Sequence, residues 1–290
     1  MAATGLLVLL ALLHASGIWL QDGLTRLDAR LYDIRLQLTM PNTLDERVVI
    51  IDINEPSLAR LGQWPWSRER VATLVTELVA RQQVAALGLD VVFAEPDRSS
   101  GLQELQALAN NQLRQQPGFA EWLARATPGL DYDNMLATAL KNRPVALGYY
   151  FTSDREGRRT GTLPTPVLKA GGGAPPPGLL QWDGYGANID LLANAAPHGG
   201  FFNAVADFDG VVRSVPILAE FEGALYESLA LATLRHSLGE PRLRVRRATS
   251  GDAASPLAAV TLGSGPRGLH VPIDRRATAL VPYRGHGGPK

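Results

Sequence analysis

The chain has 290 residues, enough for one large domain or two small ones, and its 28 basic side chains balance 28 acidic ones. With no basic excess to meet a phosphate backbone, nucleic acid is not an expected partner. Cysteine is absent, which removes thiol catalysis, disulfides and thiolate metal sites and suits a bacterial exported domain.

Ala2 to Leu20 carries no formal charge and is dominated by Leu, Ala, Val and Ile. About 20 apolar residues suffice to cross a bilayer as a helix, so residues 1–21 are expected to form a transmembrane anchor. A cleavable signal peptide would want a basic start, which Met1-Ala2-Ala3-Thr4 lacks. The same missing charge leaves orientation unread and suggests that the natural start lies upstream.

Leu20, Leu24, Leu27, Leu31, Ile34 and Leu38 are then spaced 4, 3, 4, 3, 4, an a/d seam that meets no proline until Pro41. Residues 22–40 are read as a juxtamembrane stalk helix. Its apolar face either packs on the domain's own sheet or pairs with a second copy in a homodimer. Residues 41–288 would form the main domain.

Val48-Val49-Ile50-Ile51 is a β-branched run ending in Asp52, and a second apolar run from Val84 to Phe93 contains Asp90. Between them Val71, Leu74, Val75, Leu78 and Val79 make a helical stripe, with Ser67 as N-cap, its hydroxyl meeting an orphan amide. Strand, helix, strand implies a parallel pair, with Asp52 and Asp90 toward the carboxyl ends, where open α/β sheets bind ligands. Trp64, Pro65 and Trp66 give a stiff apolar loop before the helix, and Arg68 joins it. A buried Asp90 needs a cation or donors, and Arg68 and Arg213 are the candidates, with Asp52 able to share them.

Residues 102–127 and Asp131 to Leu140 read as helices, and Pro144 to Phe151 as a third strand of the parallel set. Residues 152–188, dense in Gly, Pro and charge, read as a surface loop or flap. Phe201 to Val205 and Val211 to Ile217 flank Asp207-Phe208-Asp209-Gly210, a hairpin signal. Tyr226 to Leu238 reads as a helix, followed by three short strands near Leu257–Leu262, Leu269–Ile273 and Leu280–Tyr283. The expected class is α/β: a central, mostly parallel sheet flanked by helices, with an added antiparallel hairpin region. An N-terminal transmembrane helix continuing into the stalk would precede it.

For chemistry the signals are sparse. The histidines at 14, 198, 236, 270 and 286 show no metal-ligand spacing, and no phosphate-binding loop is present. Asp207-Phe208-Asp209-Gly210 begins like a calcium loop, but Leu218 stands where the twelfth-position Glu is needed. No catalytic residue, metal or cofactor is therefore assigned. The candidate ligand-binding set is Asp52, Trp64, Trp66, Arg68, Asp90, Asp209 and Arg213.

Gly62-Gln63-Trp64-Pro65-Trp66-Ser67-Arg68, the helix after it and Gly88-Leu89-Asp90-Val91-Val92-Phe93 resemble the second type of CHASE domain. Gly200-Phe201-Phe202-Asn203, Asp207 to Arg213, Ser228-Leu229-Ala230-Leu231, Val271 to Asp274 and Tyr283-Arg284-Gly285 extend the resemblance over residues 25 to 288. CHASE domains are sensory extracellular modules associated with cyclases and histidine kinases. The resemblance implies a bacterial receptor of the inner membrane whose main domain is periplasmic. Transmembrane helices beyond residue 290 would lead to an output such as a nucleotide cyclase or protein kinase. The stimulus, a small molecule or a protein, would bind at the carboxyl edge of the sheet. Two other readings stay open: a membrane-anchored periplasmic hydrolase using Asp52, Asp90 and a divalent metal, and a structural assembly domain recruiting partner subunits.

Overall fold

In a computed structural model, residues 21–153, 156–169, 176–249, 255–264 and 268–285 of the protein are described. The chain divides into two units, Met1–Asp52 with Val281–Lys290, and Ile53–Leu280.

In the first unit, helix α1 (Gln21–Thr39) carries the expected stripe from Leu24 onward. Leu24, Leu27, Leu31, Ile34 and Leu38 are between 44% and 81% exposed. Residues 281–285 run back to this region: the Tyr32 hydroxyl donates to the Val281 carbonyl at 3.3 Å, and Arg284 Nη2 donates to the Thr43 hydroxyl at 2.8 Å. Val48–Ile51 is not a strand. β-Branched residues favour strands because they pack on neighbours, and here the run joins no ladder and is 51–87% exposed.

The second unit begins with α2 (Glu55–Leu61), then α3 (Arg68–Thr76), which loosens into a π-turn at Glu77–Arg81. Strand β1 (Leu87–Leu89) follows, then α4 (Leu102–Asn110), α5 (Phe119–Leu130), α6 (Tyr132–Leu140) and β2 (Val145–Thr152). Next come β3 (Arg159–Thr160), β4 (Leu168–Lys169), β5 (Gly184–Gly186), α7 (Asp190–Ala195) and β6 (Gly199–Phe201). The chain continues through β7 (Ser214–Pro216), β8 (Leu218–Phe221), β9 (Ala224–Glu227) and α8 (Leu229–Ser237). It closes with β10 (Leu243–Arg247), β11 (Leu257–Leu262), β12 (Leu269–Pro272) and β13 (Thr278–Leu280).

Strand β2 is the axis. It pairs parallel with β1 (Leu87 opposite Val145) and with β6 (Leu147 opposite Gly199), and antiparallel with β5 (Tyr150 opposite Gly186). Val145 to Tyr149 are all buried, as a continuous apolar run with both faces covered must be. Val75, Leu136, Leu140, Leu192 and Phe93 pack together with Val145 and Leu147 in one core. Tyr149, Phe151, Phe201 and Phe221 make a second, aromatic core. Helix α8 lies close on β6 because Gly200 has no side chain: a Cβ there would overlap the backbone of Ser228 and Leu229. Ser228 caps α8, its Oγ accepting from the Leu231 amide at 3.4 Å.

Several expectations need correction. The protein is α/β, but its sheets are mixed: among the described residues the strands form four sheets, and β10–β11–β12 and β4–β9–β8 are antiparallel throughout. Among those same residues no helix is long and apolar enough to cross a membrane, so the sequence-based transmembrane helix is not supported. That anchor was assigned to residues 1–21, of which 1–20 lie outside the described residues. Residues 152–188 are not simply a loop, since they contribute β3, β4, β5 and the buried Leu179 and Ala187. The Asp207–Gly210 turn forms, with the Asp207 amide bonded to Val211 O at 2.9 Å, but its flanks part: β6 joins β2, and β7 joins β13. Tyr226 and Glu227 belong to β9, so the helix expected from Tyr226 starts at Leu229.

Replacing Gly200 with Ala should lower stability by about 1–3 kcal/mol, the usual cost of forcing a methyl into packed structure. Urea denaturation followed by far-UV circular dichroism measures this; an unchanged midpoint would mean that α8 does not rest on β6.

Candidate functional site

The segment before α3 is built around its indoles. A cis peptide joins Trp64 to Pro65, and the two Trp rings meet edge to face at 5.8 Å. Trp66 is buried, and its Nε1–H donates to the Gly62 carbonyl at 2.8 Å. Trp64 remains 38% exposed. One ring anchors the loop and the other faces solvent.

Arg68 fastens this loop to the carboxyl end of β1. Its guanidinium lies over the Phe93 ring at 4.4 Å, and its Nη2 donates to Glu95 O at 3.1 Å. Its Nε stands 3.7 Å from Asp133 Oδ1 on α6, with both side chains 13% exposed. Asp97 completes the knot: its Oδ2 accepts the Arg68 amide at 2.6 Å, and its own amide donates to Asp133 Oδ2 at 2.9 Å. Asp97, not the Ser67 hydroxyl, therefore meets the orphan amide at the start of α3, correcting the expected cap.

Burial raises the Asp133 carboxyl above its usual range and lowers the Arg68 guanidinium below its own, against the mutual attraction of the two. Burial also presses Asp97 upward, but hydrogen bonds from Arg68 and Ser99 outweigh it and hold that carboxyl lower than usual. The Arg68 Nε and Asp133 Oδ1 are both shielded without a hydrogen bond, so the pair is electrostatic contact rather than a closed fork.

Asp90 does not take part in this. It is exposed at the end of β1, so the buried carboxylate expected to recruit Arg68 or Arg213 is not there. In a strand with only Leu87–Leu89 in the ladder, the alternation that would bury residue 90 has already ended. Asp52, also exposed, belongs to the other unit. Arg213 is 6% exposed and occupied within its own turn: Nη1 donates to Asp207 Oδ2 and Asp209 Oδ1, both at 2.9 Å, and Nη2 to Asp209 Oδ2 at 2.7 Å. That hydrogen bonding draws the Asp209 carboxyl down to about 2. The seven residues expected to share one ligand site are thus distributed. Trp64, Trp66 and Arg68 form one group, and Asp209 and Arg213 another. Asp97, Asp133 and Asp207 were missed by sequence reasoning. The signal for Asp133 was its place in the first turn of a helix, where a carboxylate is favoured.

The family model of the CHASE2 domain matches residues 4–290. The chain belongs to the CHASE2 family. A CHASE2 domain is a sensory, extracellular-type domain of signalling receptors, consistent with a periplasmic location. No curated protein and no solved structure matches this CHASE2 domain.

Removing the Arg68 side chain leaves two carboxylates facing each other at the base of the Trp loop. Arg68→Ala should cost about 2–3 kcal/mol, just under the usual cost of breaking a buried pair because a little solvent reaches this one. It should also red-shift the Trp fluorescence as the loop loosens; unchanged emission and melting would remove Arg68 from this role. For Asp209, a carboxyl held below its unfolded value stabilises the turn above about pH 4, and the effect is lost as pH falls through about 2. In Arg213→Ala and Arg213→Lys, NMR titration should place the Asp209 midpoint higher than in the parent, nearest the ordinary carboxylate range in the Ala variant.

Proposed function

We propose that this CHASE2 domain receives a stimulus outside the cytoplasm of a bacterium and works as a homodimer joined through α1. The change would pass to an output such as a nucleotide cyclase or a protein kinase. The observation that carries the reading is the uncovered seam of α1. Five large apolar side chains at a/d spacing stand 44–81% exposed along one helix. Fully burying a Leu or Ile stabilises by about 1.5–3 kcal/mol, so a second copy of the same helix has a strong reason to cover them. A heptad seam is matched by another heptad seam, which favours a like partner.

The stimulus acts as a ligand that prefers one arrangement of the dimer. Moving a two-state receptor from almost wholly off to almost wholly on needs about 5.5 kcal/mol of differential affinity. The Trp loop supplies a contact surface for it: Trp64 is in solvent, while Trp66 and Arg68 tie its position to β1 and α6. Residues 281–285, hydrogen-bonded to the region of α1, offer a second segment that would feel a change in the helix.

The chain has no cysteine, so Leu31→Cys introduces a single thiol into the seam. Oxidation should convert the purified protein to a disulfide-linked dimer, whereas Leu31→Glu should leave it monomeric by light scattering. In the intact receptor, Leu31→Glu should abolish the stimulus-dependent change in output. A monomer at all concentrations in the parent chain, or an output indifferent to Leu31→Glu, would overturn the dimeric reading.

A further inference from the structure

At the amino end of the parallel strands, opposite the Trp loop, two histidines and a glutamate far apart in sequence converge. His198 stands immediately before β6, where its carbonyl accepts the Leu147 amide of β2 at 3.2 Å. His236 lies in the last turn of α8, and its side chain is only 7% exposed. The two rings meet edge to face at 4.7 Å. Glu240 reaches both through one atom: its Oε1 is 3.3 Å from His198 Nε2 and 3.2 Å from His236 Nδ1.

The placement of Glu240 is set by backbone geometry. Gly239 (φ 74°) and Glu240 (φ 59°) are both left-handed, a conformation that glycine adopts freely and glutamate rarely does. The Gly239 amide bonds to His236 O and the Glu240 amide to Arg235 O at 2.8 Å, the paired bonds of a Schellman cap. Arg235 braces the same turn, donating to Glu227 Oε1 at 2.6 Å and to Pro241 O at 3.3 Å. The chain therefore turns sharply back under α8 and carries the carboxylate beneath His236.

We propose that His198, His236 and Glu240 bind a divalent cation of the zinc type. One ligand atom from each lies within 4.8 Å of the others, close enough for a small ion to draw them into a common shell. Two imidazoles and one carboxylate are a donor set suited to a borderline ion, and three protein ligands leave a fourth position open. All three residues line an open cavity of ≈ 600 Å³ whose lining also includes Lys141 and Arg143. His236 is tightly enclosed, with its Nδ1 turned to Glu240 and its Nε2 buried without a hydrogen-bond partner. Bound there, the ion would fasten the end of α8 to the start of β6. The site stands independently of the sensory reading.

The test is calorimetric titration of the untagged 290-residue chain with ZnCl₂ after treatment with chelator. One equivalent should bind saturably, and Co²⁺ in its place should give the visible absorption of a tetrahedral centre. His198→Ala and Glu240→Gln change half-exposed side chains at the rim of the site and should each weaken zinc at least about tenfold. Far-UV circular dichroism of those variants should match the parent, and His270→Ala, outside the cluster, should bind as the parent does. Absence of stoichiometric uptake by the parent, or uptake unchanged in both His198→Ala and Glu240→Gln, overturns the proposal.

Discussion

The parallel pairing of β2 with β1 on one side and β6 on the other is the constraint on which the larger unit depends. Parallel strands cannot be joined by a tight turn, so each connection must leave the sheet and return, bringing covering elements with it. The connections bring α6 and α7 onto the strands, α3 packs into the same core, and α8 lies against β6, so that Val145–Tyr149 are all buried. Parallelism also gives the sheet two unlike ends. The carboxyl end of β1 takes the Arg68 knot and the Trp loop, while the amino ends of β2 and β6 take the two histidines.

The Arg68 knot shows how one cation organises several backbones. Its guanidinium touches a ring, a carbonyl and a carboxylate, and its amide takes a second carboxylate, so α3, α6 and the chain beyond β1 are fixed by a single residue. The Arg213 turn is the local counterpart: one buried guanidinium closes a seven-residue stretch on itself through Asp207 and Asp209. Both arginines that looked free to receive a ligand are engaged by the fold itself.

What could be read from the amino acids follows the range of the interactions. Helix α3 and its buried Val71 and Val75, the α1 stripe and the Asp-Gly turn depend on neighbours within a few residues and were legible, and β2 showed itself by its continuous apolar run. The four-residue run at Val48 and the burial of Asp90 depended on pairing with distant strands, and periodicity contains no information about a partner. The same holds at the sites. Trp64, Trp66 and Arg68 were found because they are consecutive or nearly so. Asp133 was missed because 65 residues separate it from Arg68, and His198 and His236 because only the β6–α8 packing unites them. Where the flanks of a good turn signal diverged, as beyond Asp207–Gly210, the competing ladders of β2 and β13 decided the outcome.

The bare β-branched ribbon Val48–Ile51 has a practical consequence. Its amides and carbonyls have no ladder, and its side chains are of the kind that stack readily once two chains lie alongside each other. Concentrating the protein brings such ribbons together by mass action, so a dilution series belongs in any handling of it. A charged side chain substituted at Ile50, the most uncovered member, is the natural solubilising change.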